Sequence, residues 1–185
     1  MFHRIGQKFT LGLMTLGKRF KPQNNVIDVF GGLNRAKNVL ICMPNDSEAF
    51  NHAVNILDDL LDLFENAQCL ILISGSAKTL DTPPSSGKIL TISQADLNTL
   101  GVPFKGTLQK IFSVPFDIVI DLNKKFDFVS TYICHKSTAS LKICFNDSTR
   151  EDFYNFEIRL DPHLSLYSQY QKLIRYLQAG MTVIN

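Results

Sequence analysis

Five polar residues stand where an α/β fold would do its chemistry. Residues 116–145 read FDIVIDLNKKFDFVSTYICHKSTASLKICF, and the first seven form an apolar run carrying Asp117 near one end and Asp121 near the other. In open α/β sheets, ligands bind in the crevice outside the carboxyl ends of the strands. A strand over FDIVIDL puts Asp121 at such an end, with Asn123 two residues beyond. The turn after an earlier apolar run, NVLICMPNDSE, carries Asn45, Asp46 and Glu48. Either Asp46 or Glu48, pointing into the crevice, could act as a general base. Both also have a structural role open to them, because negative charge at a helix start is stabilised by about 0.3–1 kcal/mol. Asp121 has the same two readings, as the cap of the following helix or as a crevice-lining group. Asp117, at the start of its strand, is read as solvated.

Other chemistries lack their residues. The turn CMPNDSEAF contains no glycine, whereas a dinucleotide site needs G-x-G-x-x-G so that backbone can approach a pyrophosphate. SGSAKT, residues 74–79, lacks the glycine before its lysine and reads as a surface loop. His3, His52, His135 and His163 match no metal-ligand spacing, and no G-x-S-x-G elbow occurs. No cofactor and no metal are expected. Cys42, Cys69, Cys134 and Cys144 form no C-x-x-C pair and sit inside apolar runs, so they read as buried free thiols of a reducing compartment.

The net charge of +2 is too small to imply a nucleic-acid partner. Its distribution is uneven. Arg4, Lys8, Lys18, Arg19 and Lys21 precede the first acidic residue, and Phe2, Ile5, Phe9, Leu13, Leu16 and Phe20 fall near helical spacing. A basic amphipathic helix is expected over residues 1–22. It either packs on the domain or lies on an anionic membrane surface. No apolar run reaches the roughly 18 residues a membrane span requires, and the start of the chain lacks a secretory h-region. The expected location is cytoplasmic, and peripheral on the inner membrane in the reading where that helix lies on lipid.

These residues must be positioned by a regular alternation. NVLICM, CLILIS, KILTIS, FDIVIDL and LKICFN read as buried strands, with a short sixth at FEIRL. Between them, residues 48–66 form an amphipathic helix, residues 94–110 a helix broken near Gly101 and Pro103, and KFDFVSTYICHK another. SLYSQYQKLIRYLQAG closes the chain as a helix with Gly180 as terminator. Apolar strands separated by helices give a three-layer, doubly wound, mostly parallel sheet of five to six strands, one domain over residues 38–185.

Two segments resemble a known family. NVLICMPNDSEAFNHAVNILDDL followed by CLILIS is similar to the opening of the bacterial heptosyltransferases, glycosyltransferases of lipopolysaccharide core assembly. FDIVIDLNKKFDFVSTYICHKSTASLKICF resembles their later strand-helix-strand, whose first strand reads D-x-V-I-D. The resemblance covers about residues 38–146 and implies a Rossmann-like half of a GT-B glycosyltransferase fold. The family has Gly-Asp in its first loop, the Asp being the catalytic base; here NDSEAF offers Asp46 or Glu48 without the glycine. Where the family has Arg-x-Gly, this chain has Leu141-Lys142-Ile143-Cys144. The family's second domain, which binds the nucleotide sugar, has no counterpart in the 39 residues after Asn146. Over its whole length the chain resembles more closely a group of small proteins of Bacteroidetes-like bacteria with no assigned activity. The expected function is a stand-alone glycosyltransferase-like domain, accessory rather than catalytic, in cell-envelope biogenesis. The alternatives are a small glycosyltransferase whose nucleotide site comes from a partner or second copy, and a protein-interaction module, including a homodimer.

Overall fold

A computed structural model describes residue 12 and residues 28–75, 80, 82–159 and 161–182. Apart from Gly12, the basic helix expected over residues 1–22, with Arg4, Lys8, Lys18, Arg19 and Lys21, lies outside the described residues, as do residues 76–79 of the SGSAKT loop.

Six strands form one parallel sheet: β1 (Asn38–Cys42), β2 (Gln68–Ser74), β3 (Lys88–Ile92), β4 (Ile118–Asp121), β5 (Leu141–Phe145) and β6 (Phe156–Ile158), in the order β3-β2-β1-β4-β5-β6. Among the described residues the named helices are α1 (Val29–Arg35), α2 (Ser47–Val54), α3 (Leu57–Leu63), α4 (Lys105–Ile111), α5 (Phe128–Lys136) and α6 (Leu166–Thr182). Strand order reverses between β1 and β4, where Leu40 lies beside Val119 and Cys42 beside Asp121.

The central strands β1, β2 and β4 form because they are largely apolar on both faces, as burial between two helical layers requires, whereas the edge strands β3 and β6 are only partly covered. Val39, Ile41, Ile71, Ile118, Ile120 and Ile143 point to one layer, made by α2, α3 and α6. Leu40, Cys42, Leu72, Val119 and Cys144 point to the other, made by α4 and α5. In α6 the buried residues Tyr170, Leu173, Ile174 and Leu177 follow helical spacing. In α5 six of nine residues are buried, so almost no polar face remains.

Several details depart from the sequence reading. The helix expected over residues 48–66 is two helices. The Ile56 amide donates to Ala53 O at 3.2 Å, and this tighter turn lets Ile56 enter the core beside Ala53, both 0% exposed. Residues 94–110 break where expected, but their first part is a single 3-10 turn closed by a capping box between Ser93 and Asp96. Asp117 is not merely solvated. Its Oδ2 accepts from the amides of Lys37 and Asn38 at 2.8 and 3.0 Å, fastening β4 to the start of β1. Gly180 does not end its helix, which continues to Thr182; a Cβ there would lie 2.9 Å from Leu33 Cδ1. The glycine lets α6 approach α1, a helix the sequence reading left unassigned.

All four cysteines are buried and none is in a disulfide. Burial pushes the Cys69 thiol up to about 11 and holds Cys42 and Cys144 well above the ordinary range. The thiolate is the reactive form, so the folded chain at pH 8 should react only slowly with a thiol reagent such as DTNB. In guanidinium all four should react at once. A rapidly labelled cysteine in the native protein would contradict this packing.

Candidate functional site

The loops following β1 and β4 diverge at the strand-order reversal and leave a cleft of about 440 Å³. One wall is Pro44, Asn45, Asp46, Glu48 and Ala49; the other is Asn123, Lys124, Lys125, Phe126 and Asp127. Leu166, at the start of α6, closes one side.

The first wall is shaped by the start of α2. Asp46 is its N-cap, with Oδ1 accepting from the Ala49 amide at 2.9 Å, and Glu48 lies in its first turn. Asn45, Asp46 and Glu48 are exposed. Among the described residues Glu48 has no hydrogen-bond or ion-pair partner. Gly75, with φ of +107° at the end of β2, lies so close to this wall that a Cβ would come within 3.1 Å of Asn45 Oδ1.

The second wall is shaped by the start of α5. Here the cap is Asp127, whose Oδ1 accepts from the Ser130 amide at 2.9 Å and whose Oδ2 accepts from Asn45 Nδ2 at 3.2 Å. Asn123 ties the two walls together. Its Oδ1 accepts from the Asn45 amide at 2.8 Å, and its Nδ2 donates to Asp121 Oδ1 at 2.8 Å.

Asp121 therefore does not line the crevice, and it does not cap the following helix. It is the last residue of β4, 1% exposed, one layer behind the wall. The neighbouring strands β1 and β5 flank it, and four hydrogen bonds are donated to it beside one ion pair. These are the Asn123 amide at 2.9 Å, Asn123 Nδ2, the Ser130 hydroxyl at 2.9 Å and the Tyr154 hydroxyl, with the Arg150 guanidinium at 3.6 Å. Burial pushes its carboxyl above the ordinary carboxylate range, against the opposing pull of Arg150, Tyr154 and Asn123. Burial and the nearby Asp121 charge hold the Tyr154 hydroxyl well above the usual tyrosine range, so it stays a donor.

Arg150, 0% exposed, comes from the turn after β5. It donates to the carbonyl oxygens of Asn123 at 2.8 Å, Lys124 at 3.2 Å and Phe145 at 2.7 Å, and lies over the Tyr154 ring at 5.7 Å. Asp147 Oδ2 accepts from the Phe126 amide at 3.1 Å. The β4–α5 loop is thus held from beneath at three successive places.

Of the residues singled out from sequence, Asn45, Asp46, Glu48 and Asn123 meet at one cleft, and Asp121 supports it from behind. Sequence reasoning missed Lys124, Lys125 and Asp127, although NKKFD directly after the strand was a usable signal. It also missed Arg150, Tyr154 and Ser130. Nothing in NDSTRED marks an arginine for burial. No group of three His, Cys, Asp or Glu side chains among the described residues is set to hold a metal, and no described helix is long and apolar enough to cross a membrane.

Removing one partner of a buried ion pair leaves an uncompensated charge, at a cost of about 3–5 kcal/mol. Arg150→Met should lose about that much in urea unfolding at pH 7. Asp121 has a raised folded-state value, so its contribution is fully present below the unfolded carboxylate value and is lost as pH rises through the folded value. The deficit of Arg150→Met should therefore shrink toward acid pH, where a protonated Asp121 needs no counter-charge. A second change, Asp121→Asn, should recover part of the neutral-pH loss; strictly additive losses would mean the two side chains are not coupled.

No curated protein matches the chain. Among solved structures it is similar to a family 9 glycosyl transferase from Veillonella parvula DSM 2008, with a TM-score of 0.58 at 13% identity over 83% of this chain and 43% of that one. It is also similar to heptosyltransferase WaaC of E. coli, solved with ADP, with a TM-score of 0.50 at 12% identity over 75% of this chain and 46% of that one. The chain thus spans less than half the length of either structure, and the heptosyltransferase resemblance read from its strands holds as a likeness of fold. Residues 14–179 match DUF6913, a family of unknown function, and the chain belongs to that family.

Proposed function

We propose that this chain is an accessory, sugar-recognising domain of glycosyltransferase-like fold, working in cell-envelope assembly without itself catalysing transfer. One observation carries the reading. Asp46, the carboxylate nearest the position where the resembling family has its base, is engaged as the cap of α2, while the cleft around it is lined by side chains suited to hydroxyl groups. Asn45 offers both a donor and an acceptor, and the carboxylates accept from hydroxyls. The transfer reading is favoured by a different observation: Glu48 lines the same cleft and is unengaged among the described residues.

A melting-curve screen against monosaccharides, sugar phosphates and ADP-, UDP-, GDP- and CMP-sugars tests the proposal. A ligand at 100 times its dissociation constant adds about 2.7 kcal/mol of stability, a clear shift for a domain of this size. Sugar-bearing compounds should raise the melting point, and no nucleotide should be released from the nucleotide sugars. Nucleotide release that disappears in Glu48→Gln would replace this reading with the transferase. No shift from any sugar compound would remove both.

The proposal also assigns residues 1–21 to an anionic membrane surface such as that of the inner membrane, since their five basic residues are unopposed by any acid. The full chain should sediment with phosphatidylglycerol-containing vesicles and much less with neutral ones. Reversing charge at Lys8, Lys18, Arg19 and Lys21 should abolish the difference. Equal sedimentation of both forms would assign these residues elsewhere.

A further inference from the structure

We infer that the cleft takes a monosaccharide bearing a phosphate monoester, with the phosphate at Lys124 and Lys125 and the sugar hydroxyls toward Asn45, Asp46 and Glu48; this rests on the sugar-recognising reading above. The two lysines are adjacent in sequence and both line the cleft. Among the described residues neither ammonium has a hydrogen-bond or ion-pair partner. Asp46 and Asp127 stand in the same cleft, yet each has at least one oxygen committed to capping its helix. These two cations on one short segment match a phosphate monoester, which carries about −1.5 to −2 at neutral pH, while Asp46 and Glu48 keep their charge on the opposite wall and Asp127 stands beside the lysines.

The lysines also sit on backbone that is already ordered. Arg150 holds the carbonyls of Asn123 and Lys124, and Asp147 holds the Phe126 amide. Ordering a flexible loop is a cost of binding that a preset segment avoids. An exposed lysine pair on loose backbone would carry no such implication.

The opposite wall gives the ligand its direction. Asp46 and Glu48 repel a phosphate and accept hydrogen bonds from hydroxyls, so a ligand with an anionic end and a hydroxylated end fits in one orientation only. The volume of about 440 Å³ lies toward the small end of ligand cavities, which run from about 300 to 1,000 Å³. That size suits a phosphorylated monosaccharide.

Amide-shift titrations of the full chain with glucose, mannose, their 1- and 6-phosphates, heptose 7-phosphate and inorganic phosphate test the assignment. At least one sugar phosphate should bind ten-fold or more tightly than both its neutral sugar and inorganic phosphate, with shifts on both cleft walls. Lys124→Gln with Lys125→Gln should reduce that affinity to the level of the neutral sugar. The melting point of the ligand-free double variant reports separately whether it folds. Sugars that bind equally well with and without phosphate would overturn this inference and leave the sugar-recognising reading standing. Inorganic phosphate binding as tightly as every sugar phosphate would reduce the cleft to an anion site and overturn it as well. No shift with any probe would remove both.

Discussion

Burying an arginine with no exposed surface is costly unless its charge and its donors are all answered. In this chain the answers come from four places at once: Asp121 at the end of β4, the Asn123 and Lys124 carbonyls in the loop beyond it, Phe145 at the end of β5, and the ring of Tyr154; only Nε lacks a hydrogen bond, with Asp147 Oδ2 4.0 Å away. Because Arg150 cannot be satisfied unless all four are in position, the carboxyl ends of the two strands and the loop between them form one unit. The cleft is the outer surface of that unit. Its second wall is fixed mainly by Arg150 and Asp121, which lie behind the cleft surface.

The same economy bears on what the carboxylates can do. A helix that begins beside a cleft needs its first amides satisfied, and Asp46 and Asp127 meet that need for α2 and α5. Asp46, held in this way, keeps a fixed direction and one open oxygen, which suits recognition of a hydroxyl, whereas the second oxygen of Asp127 is taken by Asn45. Likeness of fold to a transferase family brings the sheet, the strand-order reversal and the crevice, but not the chemistry performed there.

The sheet was legible because its central strands are largely apolar runs, and such runs are what a sheet buried on both faces demands. The long helix α6 was legible for its spacing of Tyr170, Leu173, Ile174 and Leu177. Where partners are distant in sequence, legibility ended. Asp121 reads as a polar end of a strand until Tyr154, 33 residues on, is seen to donate to it. Arg150 sits in a polar stretch whose composition signals a surface turn. Gly180 looks like a helix terminator because the helix it accommodates, α1, carries two glycines of its own and little periodicity. Asn45, Asp46 and Glu48 could be placed at a crevice from the turn alone; that Asn123 would tie them to the opposite wall could not.

The fastening made by Asp117 has a kinetic side. The amides it binds, at Lys37 and Asn38, are 80 and 79 residues earlier in the chain, and β1 pairs with β4 across that whole interval. Closing so long a loop spends chain entropy before any pairing rewards it, which slows folding in proceeding from local to distant contacts. The helix pair α2–α3 and the β1–β2 unit can form from nearby residues, whereas the crevice needs both halves of the domain to have met. During synthesis, the cleft therefore comes into being only after β4 has docked, and nothing shorter than that has one to offer.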